Sequence, residues 1–267
     1  MRIWHQSFTV LEDLPAYADT LRTHMKKIAR PDTEIVMHGQ RKGTYPADYP
    51  GDDLAYSAMY WMHGNQWVAG ALKAQKQGFD AYAMATIPNP LIREIRTIVD
   101  IPVVGYGEAS YHVASMLGRR FGVLVFIDRM AALLEDHIAG HGLATRCIGV
   151  RPSGLTFQQV LAGYTTPGPV IARFQESARE LIRAGADVII PGEVPLNLLL
   201  AINGVRQVDG VAVLDSLAVT MKLAEAFADL HKSIGFSQTR HGFFGERPAA
   251  GRLDEVLGFY GLDRLMQ

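Results

Sequence analysis

The sequence predicts an α/β protein built from two similar halves, and two observations carry the prediction. One phrase occurs twice: residues 78–88 read GFDAYAMATIP, and residues 185–195 read GADVIIPGEVP. In both copies Gly-x-Asp opens a short apolar strand, a polar residue stands eight positions after the glycine, and proline follows two positions later. Thr86 and Glu193 are therefore equivalent points of an internal duplication. In addition, short aliphatic runs alternate with helical patterns, as is typical of parallel sheets covered by helices.

In chain order, the first half contains four predicted strands separated by helices, which makes a small doubly wound sheet. The strands lie at residues 2–4 and 34–38, within the first copy of the repeat, and at residues 101–105. The helices are expected at residues 14–28, 54–77 and 91–99. Residues 39–53 form a long irregular loop containing Gly, Pro and Tyr, and loops of this length are often lids in compact domains.

The pattern restarts in the second half, after a crossover helix at residues 108–117. Strands are expected at residues 121–126, 145–150, 188–190 and 211–215. The helices that follow the loop at residues 152–168 are predicted at residues 169–184, 196–202 and 216–231. A loop at residues 237–251 and a closing helix at residues 253–265 complete the chain. The two halves thus agree to the end of their four-stranded sheets.

Composition limits the possible partners. The 267 residues suffice for one large domain or for two, and the duplication favours two. Lys and Arg number 26 against 27 acidic residues, so no basic footprint for nucleic acid or for an anionic membrane is expected. No apolar stretch is long enough for a membrane span, and the first residues lack a signal pattern. We therefore expect a soluble, cytoplasmic protein that acts on a small molecule.

Glu193 is the first candidate for catalysis. It follows a buried strand and precedes a helix N-terminus, in the crevice where open α/β sheets bind ligands. The alternative is a carboxylate that only caps the helix beginning near Pro195. Thr86, its equivalent in the first half, is either a hydrogen-bond donor to substrate or a plain turn residue.

The remaining candidates for substrate binding lie at predicted strand ends or helix starts, and they are His5, Gln6, Ser7, Ile87, Asn89, His112, Val194 and Ser216. The alternative for residues 5–7 is a solvated loop, and Asn89 and Ser216 could be helix caps. The histidines show no metal-ligand spacing, and the pair His137 and His141 is interpreted as a solvated helix end. A single cysteine and an incomplete Gly-Tyr-Gly motif exclude a cysteine-rich metal site and a dinucleotide fingerprint, so neither metal nor cofactor is expected.

With its two Gly-x-Asp strands, Asn89-Pro90, and IPVVGYGEA at residues 101–109, the sequence resembles the aspartate/glutamate racemase superfamily, and most of all its hydantoin racemase branch. The resemblance covers essentially the whole chain. It implies two flavodoxin-like domains, each with a four-stranded parallel sheet, related by a pseudo-twofold axis with the active site between them. It further implies a first domain of residues 1–107 plus 218–267, a second of residues 108–217, and a cofactor-independent homo-oligomer.

The departure from the family pattern decides the predicted chemistry. Racemases of this family hold a cysteine in each half, one as base and one as acid. Those positions are Thr86 and Glu193 here, and Cys147 lies in a different predicted strand. A threonine hydroxyl has too high a pKa to share a two-base mechanism at neutral pH, which leaves Glu193 as the single competent base.

These considerations give three hypotheses for function. The first is a hydrolase of a small cyclic amide, thioamide or related carbonyl compound that bears a carboxylate. In it, Glu193 activates water and Thr86 helps to hold the carbonyl. Relatives with Glu at the second position resemble hydrolytic enzymes. The second is an isomerase, racemase or decarboxylase that uses Glu193 as a single base. The third is a catalytically inactive protein that binds a small ligand.

Overall fold

The structure, a computed structural model, describes residues 1–46 and 49–266. Residues 47 and 48 of the predicted 39–53 loop, and residue 267 of the predicted first domain, lie outside the described residues. The described chain forms two sheets with helices on their faces, as the sequence predicts.

The first sheet has four parallel strands in the order β2-β1-β3-β4. These are β1 (Arg2–Gln6), β2 (Glu34–His38), β3 (Ala81–Met84) and β4 (Val103–Gly105). Every residue of β3 is buried, in keeping with a central strand covered on both faces. The predicted four-stranded sheet of the first half is confirmed.

The helices of this half are α1 (Pro15–Ile28), α2 (Gly51–Leu54), α3 (Ser57–Lys76), α4 (Ile92–Ile98) and α5 (Tyr106–Leu117), with a 3₁₀ turn at Leu11–Asp13. The helix expected at residues 54–77 is α3, which begins at Ser57 because Tyr56 is extended; the short helix α2 before it was not predicted. On α3, the fully buried Trp67 packs beside Phe8 with ring centroids 4.9 Å apart. This contact anchors the chain just after β1.

The second sheet has five strands in the order β6-β5-β7-β9-β8. The prediction of four strands for this sheet is therefore wrong by one strand. Its strands are β5 (Phe121–Val125), β6 (Cys147–Pro152), β7 (Val188–Pro191), β8 (Gln207–Val208) and β9 (Val211–Val213). The additional strand, β8, pairs antiparallel with β9 through a tight turn at Asp209 and Gly210, both with positive φ. Two residues are too few for a strand period to be visible in sequence.

The helices of the second half and the C-terminal segment are α6 (Ala131–Gly140), α7 (Phe157–Gly163), α8 (Pro167–Arg183), α9 (Val194–Ile202), α10 (Ser216–Ile234) and α11 (Arg252–Phe259). Short 3₁₀ turns occur at Asp128–Met130, Ala144–Arg146 and Leu262–Met266. Helix α7 interrupts the predicted 152–168 loop, because Thr156 and Gln159 form a capping box at its start. The closing helix, α11, ends at Phe259 and is shorter than the helix predicted at residues 253–265.

Helix α10 packs on β3, β4 and α5, against the first sheet. This placement accords with the assignment of residues 218–267 to the first domain, which stays a prediction. Apart from β8, the two sheets share one strand order, as an internal duplication requires. Within residues 1–46 and 49–266, no helix combines the length and apolar character needed to cross a membrane.

Candidate active site

A small cavity lies where the central strands of both sheets end, and its volume is about 50 Å³. Residues following β1 and β3 line one side, namely Ser7, Phe8, Thr9, Ala85, Thr86 and Ile87. Residues following β5 and β7 line the other, namely Phe126, Ile127, Glu193, Val194 and Pro195. Because each sheet contributes one wall, the cavity lies between the two halves, at the carboxyl ends of parallel strands where such folds bind ligands.

Glu193 is anchored through one carboxyl oxygen only. Its Oε1 accepts hydrogen bonds from the backbone N–H groups of Phe126, at 2.9 Å, and Ile127, at 3.0 Å. Its Oε2 is buried and has no hydrogen-bond partner in the described structure. The helix-cap alternative is wrong, because the Glu193 side chain makes no capping bond to α9. The carboxyl group is therefore oriented by the β5 loop and keeps one oxygen free.

The environment of Glu193 favours its neutral form. Burial is the main cause, and it raises the pKa of this carboxyl from 4.5 to about 8. The N–H groups of Ile127 and Phe126 oppose the rise, while the carboxylate of Asp128 adds to it. A carboxyl with this pKa can both take up and release a proton near neutral pH, which general acid–base catalysis requires.

Thr86 lies on the opposite, first-sheet wall, where Asn89 fixes its backbone. The Asn89 amide donates to the Thr86 carbonyl at 2.6 Å, and its Oδ1 accepts from the N–H of Glu108 at 3.1 Å. The turn is close to the start of α5: a Cβ added at Gly107 would lie 2.1 Å from the Ile87 carbonyl oxygen. The Gly-Tyr-Gly sequence at residues 105–107 thus permits close approach of two backbone segments rather than nucleotide binding.

Tyr49, in the part of the predicted 39–53 loop that the structure describes, contributes to the cavity wall. The Tyr49 ring stacks on Phe157 of α7, with centroids 5.0 Å apart and planes inclined by 23°, and both rings line the cavity. A Cβ at Gly51 would lie 2.1 Å from the Tyr49 ring, so glycine is needed for this packing. Burial, followed by the nearby Glu193 carboxyl, raises the pKa of Tyr49 to about 12, which keeps it neutral. The cavity is smaller than the roughly 300–1,000 Å³ that is usual for ligand sites.

The cavity is apolar and carries little charge. Among the described residues that line it there is no Lys, Arg or His, and Glu193 is the only carboxylic acid. A bound carboxylate would meet no cation here, and burying an unpaired charge is costly. The lining therefore suits an uncharged ligand with apolar surface.

Five of the predicted site residues line the cavity: Glu193, Thr86, Ser7, Ile87 and Val194. His5 and Gln6 do not, because β1 continues two residues beyond the predicted strand end and places them within the sheet. Gln6 is used internally, since its Oε1 accepts from the Trp4 indole at 2.9 Å and its amide donates to the Gly39 carbonyl at 3.0 Å. The fully buried His5 has a pKa lowered to about 3, chiefly by burial, and is a neutral core residue.

Asn89, Ser216 and His112 also lie outside the cavity lining. Asn89 acts on the Thr86 backbone, as described above. The N–H of Ser216 donates to Asn197 Oδ1 at 2.8 Å at the buried start of α10, where Asp215 is the cap. His112 is exposed on α5, where it groups with Glu108 and His141, a cluster that the sequence-based expectation of no metal site did not consider.

Sequence reasoning missed the apolar lining, above all Tyr49, Phe126, Ile127 and Phe157. The duplication contained a signal for two of them. Phe126 and Ile127 follow β5 as Ser7 and Phe8 follow β1, and β5 occupies the same place in its sheet as β1. Extending the repeat to the first strand of each half would have predicted both.

Comparison with known proteins agrees with this architecture. A family model described as Asp/Glu/Hydantoin racemase matches residues 16–224. The chain belongs to this racemase family. A hydantoin racemase from Pseudomonas sp. (strain NS671) is 28% identical over 220 residues, which cover 78% of this chain and 79% of that protein.

Solved structures of the racemase family show the same fold. An allantoin racemase from Klebsiella pneumoniae has a TM-score of 0.76 at 21% identity, with 96% of this chain and 98% of that chain covered. A mutant of arylmalonate decarboxylase has a TM-score of 0.55 at 18% identity, with 92% and 98% covered. The matching family model and the hydantoin racemase relative both carry a racemase name, so they favour the isomerase alternative over the predicted hydrolase.

Proposed function

We propose that this protein is a cofactor-independent isomerase in which Glu193 removes and returns a proton at the carbon next to a carbonyl group of a small, uncharged cyclic amide, such as a hydantoin. One observation carries the proposal: the buried Glu193 carboxyl is held through Oε1 and keeps Oε2 without a partner in an apolar cavity. Membership of the racemase family supports isomerase chemistry. The hydrolase interpretation has no such support among the relatives described above.

In the proposed reaction the Glu193 carboxylate accepts the α-proton through Oε2. The electron pair of the broken C–H bond moves into the adjacent carbonyl group, which becomes an enolate oxygen, and Glu193 becomes a neutral acid. The raised pKa helps this step, because a carboxylate with a pKa of about 8 is a stronger base than an ordinary one. Returning the proton to carbon restores the carboxylate and completes the cycle.

Thr86 is the proposed hydrogen-bond donor to the enolate oxygen. Its hydroxyl belongs to the opposite wall of the same cavity, and the first turn of α9 offers further N–H groups at the strand ends. A hydroxyl cannot act as a second base at neutral pH. Inversion therefore requires water to deliver a proton on the Thr86 side, whereas return by Glu193 retains configuration. We expect exchange of the α-proton with solvent to be faster than inversion.

The lining also supports the choice of substrate class. An amino-acid zwitterion or a dicarboxylate would bring a carboxylate charge that no described lining side chain can pair. A cyclic amide is neutral and has carbonyl and N–H groups that hydroxyl and backbone groups can bind. Its ring substituent would contact the aromatic side chains of Phe8, Phe126 and Phe157.

The test is to incubate the full chain with single enantiomers of 5-substituted hydantoins and of allantoin in deuterium oxide, and separately in oxygen-18 water. Mass spectrometry and chiral chromatography then report deuterium at the α-carbon, oxygen incorporation and inversion, after subtraction of the uncatalysed rates. We expect deuterium without labelled oxygen, and a loss of about a hundredfold or more in Glu193→Gln. Circular dichroism of the Glu193→Gln variant is the control, and it should show that the fold is intact.

Other outcomes assign other functions. One labelled oxygen per turnover and a ring-opened product would restore the hydrolase hypothesis. Loss of carbon dioxide from aryl- or alkylmalonates, with neither label from hydantoins, would assign a decarboxylase. Saturable ligand binding without any exchange would assign a binding protein and end the proposal.

A further inference from the structure

A second cluster of polar side chains lies on α5, outside the cavity lining. Glu108 and His112 stand four residues apart and so share one face of the helix. His141, which directly follows α6, comes alongside them, with the two imidazole centroids 5.5 Å apart. One nitrogen or oxygen from each of the three residues lies within 4.8 Å of the others.

The donor set matches the preferences of borderline transition metals. Two imidazole nitrogens and one carboxylate oxygen are the ligands that Zn²⁺ takes at about 2.0–2.2 Å, with a fourth position left to water. Tetrahedral ligands at these distances are about 3.4 Å apart. Small side-chain rotations suffice to reach that spacing, and they are available because His112 is exposed and the other two residues are only partly buried.

Burial and neighbouring charges both act on the pKa of two members of the cluster, Glu108 and His141. Burial pushes the pKa of Glu108 upward, but the Arg96 guanidinium outweighs it, and the pKa lies below its ordinary value. Burial lowers the pKa of His141, and the nearby Glu108 charge opposes that shift. Metal ions bind carboxylates and neutral imidazoles.

Arg96 holds the carboxylate in place and also competes for it. Its guanidinium donates to Glu108 Oε1 at 3.1 Å and to Oε2 at 2.5 Å, and it is fixed in turn by the Val103 carbonyl at 2.8 Å. Each carboxylate oxygen can accept a further bond, so an ion can share one of them. The guanidinium charge repels a cation, and this lowers the affinity that the three ligands would otherwise give.

We propose that Glu108, His112 and His141 bind one transition-metal ion, with Zn²⁺ as the best-fitting ion, and that it joins α5 to the end of α6. None of the three residues lines the candidate active site, so the ion would have a structural role. The proposal does not depend on the proposed function, and the two can fail separately.

The test uses the full chain after chelator treatment and dialysis. Isothermal titration with zinc chloride should give one ion per chain, and Co²⁺ should give visible d–d absorption of a four-coordinate site. His112→Ala and His141→Ala should each lower the association constant by about tenfold or more, since even residues behind metal ligands contribute that much. His241→Ala, at an exposed histidine of the C-terminal segment, is the control and should leave it unchanged.

A further variant tests whether Glu108 is a metal ligand. Arg96→Gln removes the competing charge and should tighten zinc binding, whereas a site without Glu108 would respond little. Circular dichroism and melting temperature identify any variant that fails to fold. If Arg96→Gln fails to fold, the zinc affinities of the single-histidine variants decide whether the proposal holds. Absence of stoichiometric binding, wild-type affinity in His112→Ala or in His141→Ala, or unchanged affinity in Arg96→Gln would overturn the proposal.

Discussion

Replacing Glu193 by Gln should change how stability depends on pH, in a direction that the burial of this residue fixes. Gln is close in size and keeps a side-chain oxygen that can accept from the N–H groups of Phe126 and Ile127. It removes the ionisable group. The variant thus isolates the free energy of placing a carboxyl group at this position.

The magnitude follows from the pKa. Burial raises the pKa of Glu193 from 4.5 to about 8, so the folded protein holds a proton that the unfolded chain has released between these pH values. The stability that this proton contributes is fully present below pH 4.5 and is gone above about pH 8. Because a tenfold change in proton affinity corresponds to about 1.4 kcal/mol, the total is about 5 kcal/mol.

The assay is urea unfolding of the wild type and Glu193→Gln at intervals from pH 4.5 to 9.5. The free energy of unfolding of the variant minus that of the wild type should rise by about 1.4 kcal/mol per pH unit and level off near pH 8. Titration of the groups that do not interact with Glu193 cancels in this difference. A difference that does not vary with pH would show that Glu193 ionises like an exposed carboxyl, and it would refute the reasoning.

Glu225→Gln is the matched control with the opposite sign. Burial alone would raise the pKa of Glu225, but the Arg30 N–H and the Lys222 ammonium hold it below its ordinary value. Its contribution to stability is present above about pH 4.5 and is lost as the pH falls. The difference between Glu225→Gln and wild type should therefore be flat from pH 5 to 9.5 and change only in acid.

Three further predictions concern the proposed reaction. With a substrate that does not titrate, kcat/KM should rise with pH and level off near pH 8, because only ionised Glu193 is a base; a flat profile would contradict this. Thr86→Val should lower kcat by about tenfold, less than Glu193→Gln, with Thr86→Ser restoring it; a larger loss would give Thr86 the principal role. Gly51→Ala should displace the Tyr49 ring and raise KM, whereas Gly258→Ala, where a Cβ meets nothing, should not.

Much of the fold could be predicted because its signals are local. Apolar strands ending at Thr86 and Glu193 repeat along the chain, and parallel strands place such ends at one edge of a sheet. The elements that were missed are short. Strand β8 has two residues, and α7 depends on the capping box at Thr156, whose Gln159 partner was not recognised within a loop rich in Gly and Pro.

The errors in the site have a different physical origin. The length of β1 is set by its neighbours, since His5 pairs with Met37 and Ala83, and these contacts are distant in sequence. Because the predicted strand ended two residues early, His5 and Gln6 were assigned to a loop instead of the sheet. The stacking of Tyr49 on Phe157 joins segments more than a hundred residues apart, and no local pattern records it.

The two halves share one strand order but differ at the point where chemistry is proposed. After β1, the N–H of Ser7 donates to the His38 carbonyl at 2.9 Å, within the sheet. After β5, the equivalent N–H of Phe126 donates instead to the Glu193 side chain. The second half therefore holds a carboxyl group where the first half closes its own backbone, and Thr86 adds no group that ionises near neutral pH. Under the proposed reaction, and among the described lining residues, the duplicated architecture thus carries a base on one wall only. For that reason the ratio of the solvent-exchange rate to the inversion rate, rather than either rate alone, distinguishes the proposed one-sided proton transfer from a two-base racemase. A base on each face couples every exchange to inversion. With Glu193 as the single base, the ratio should exceed one.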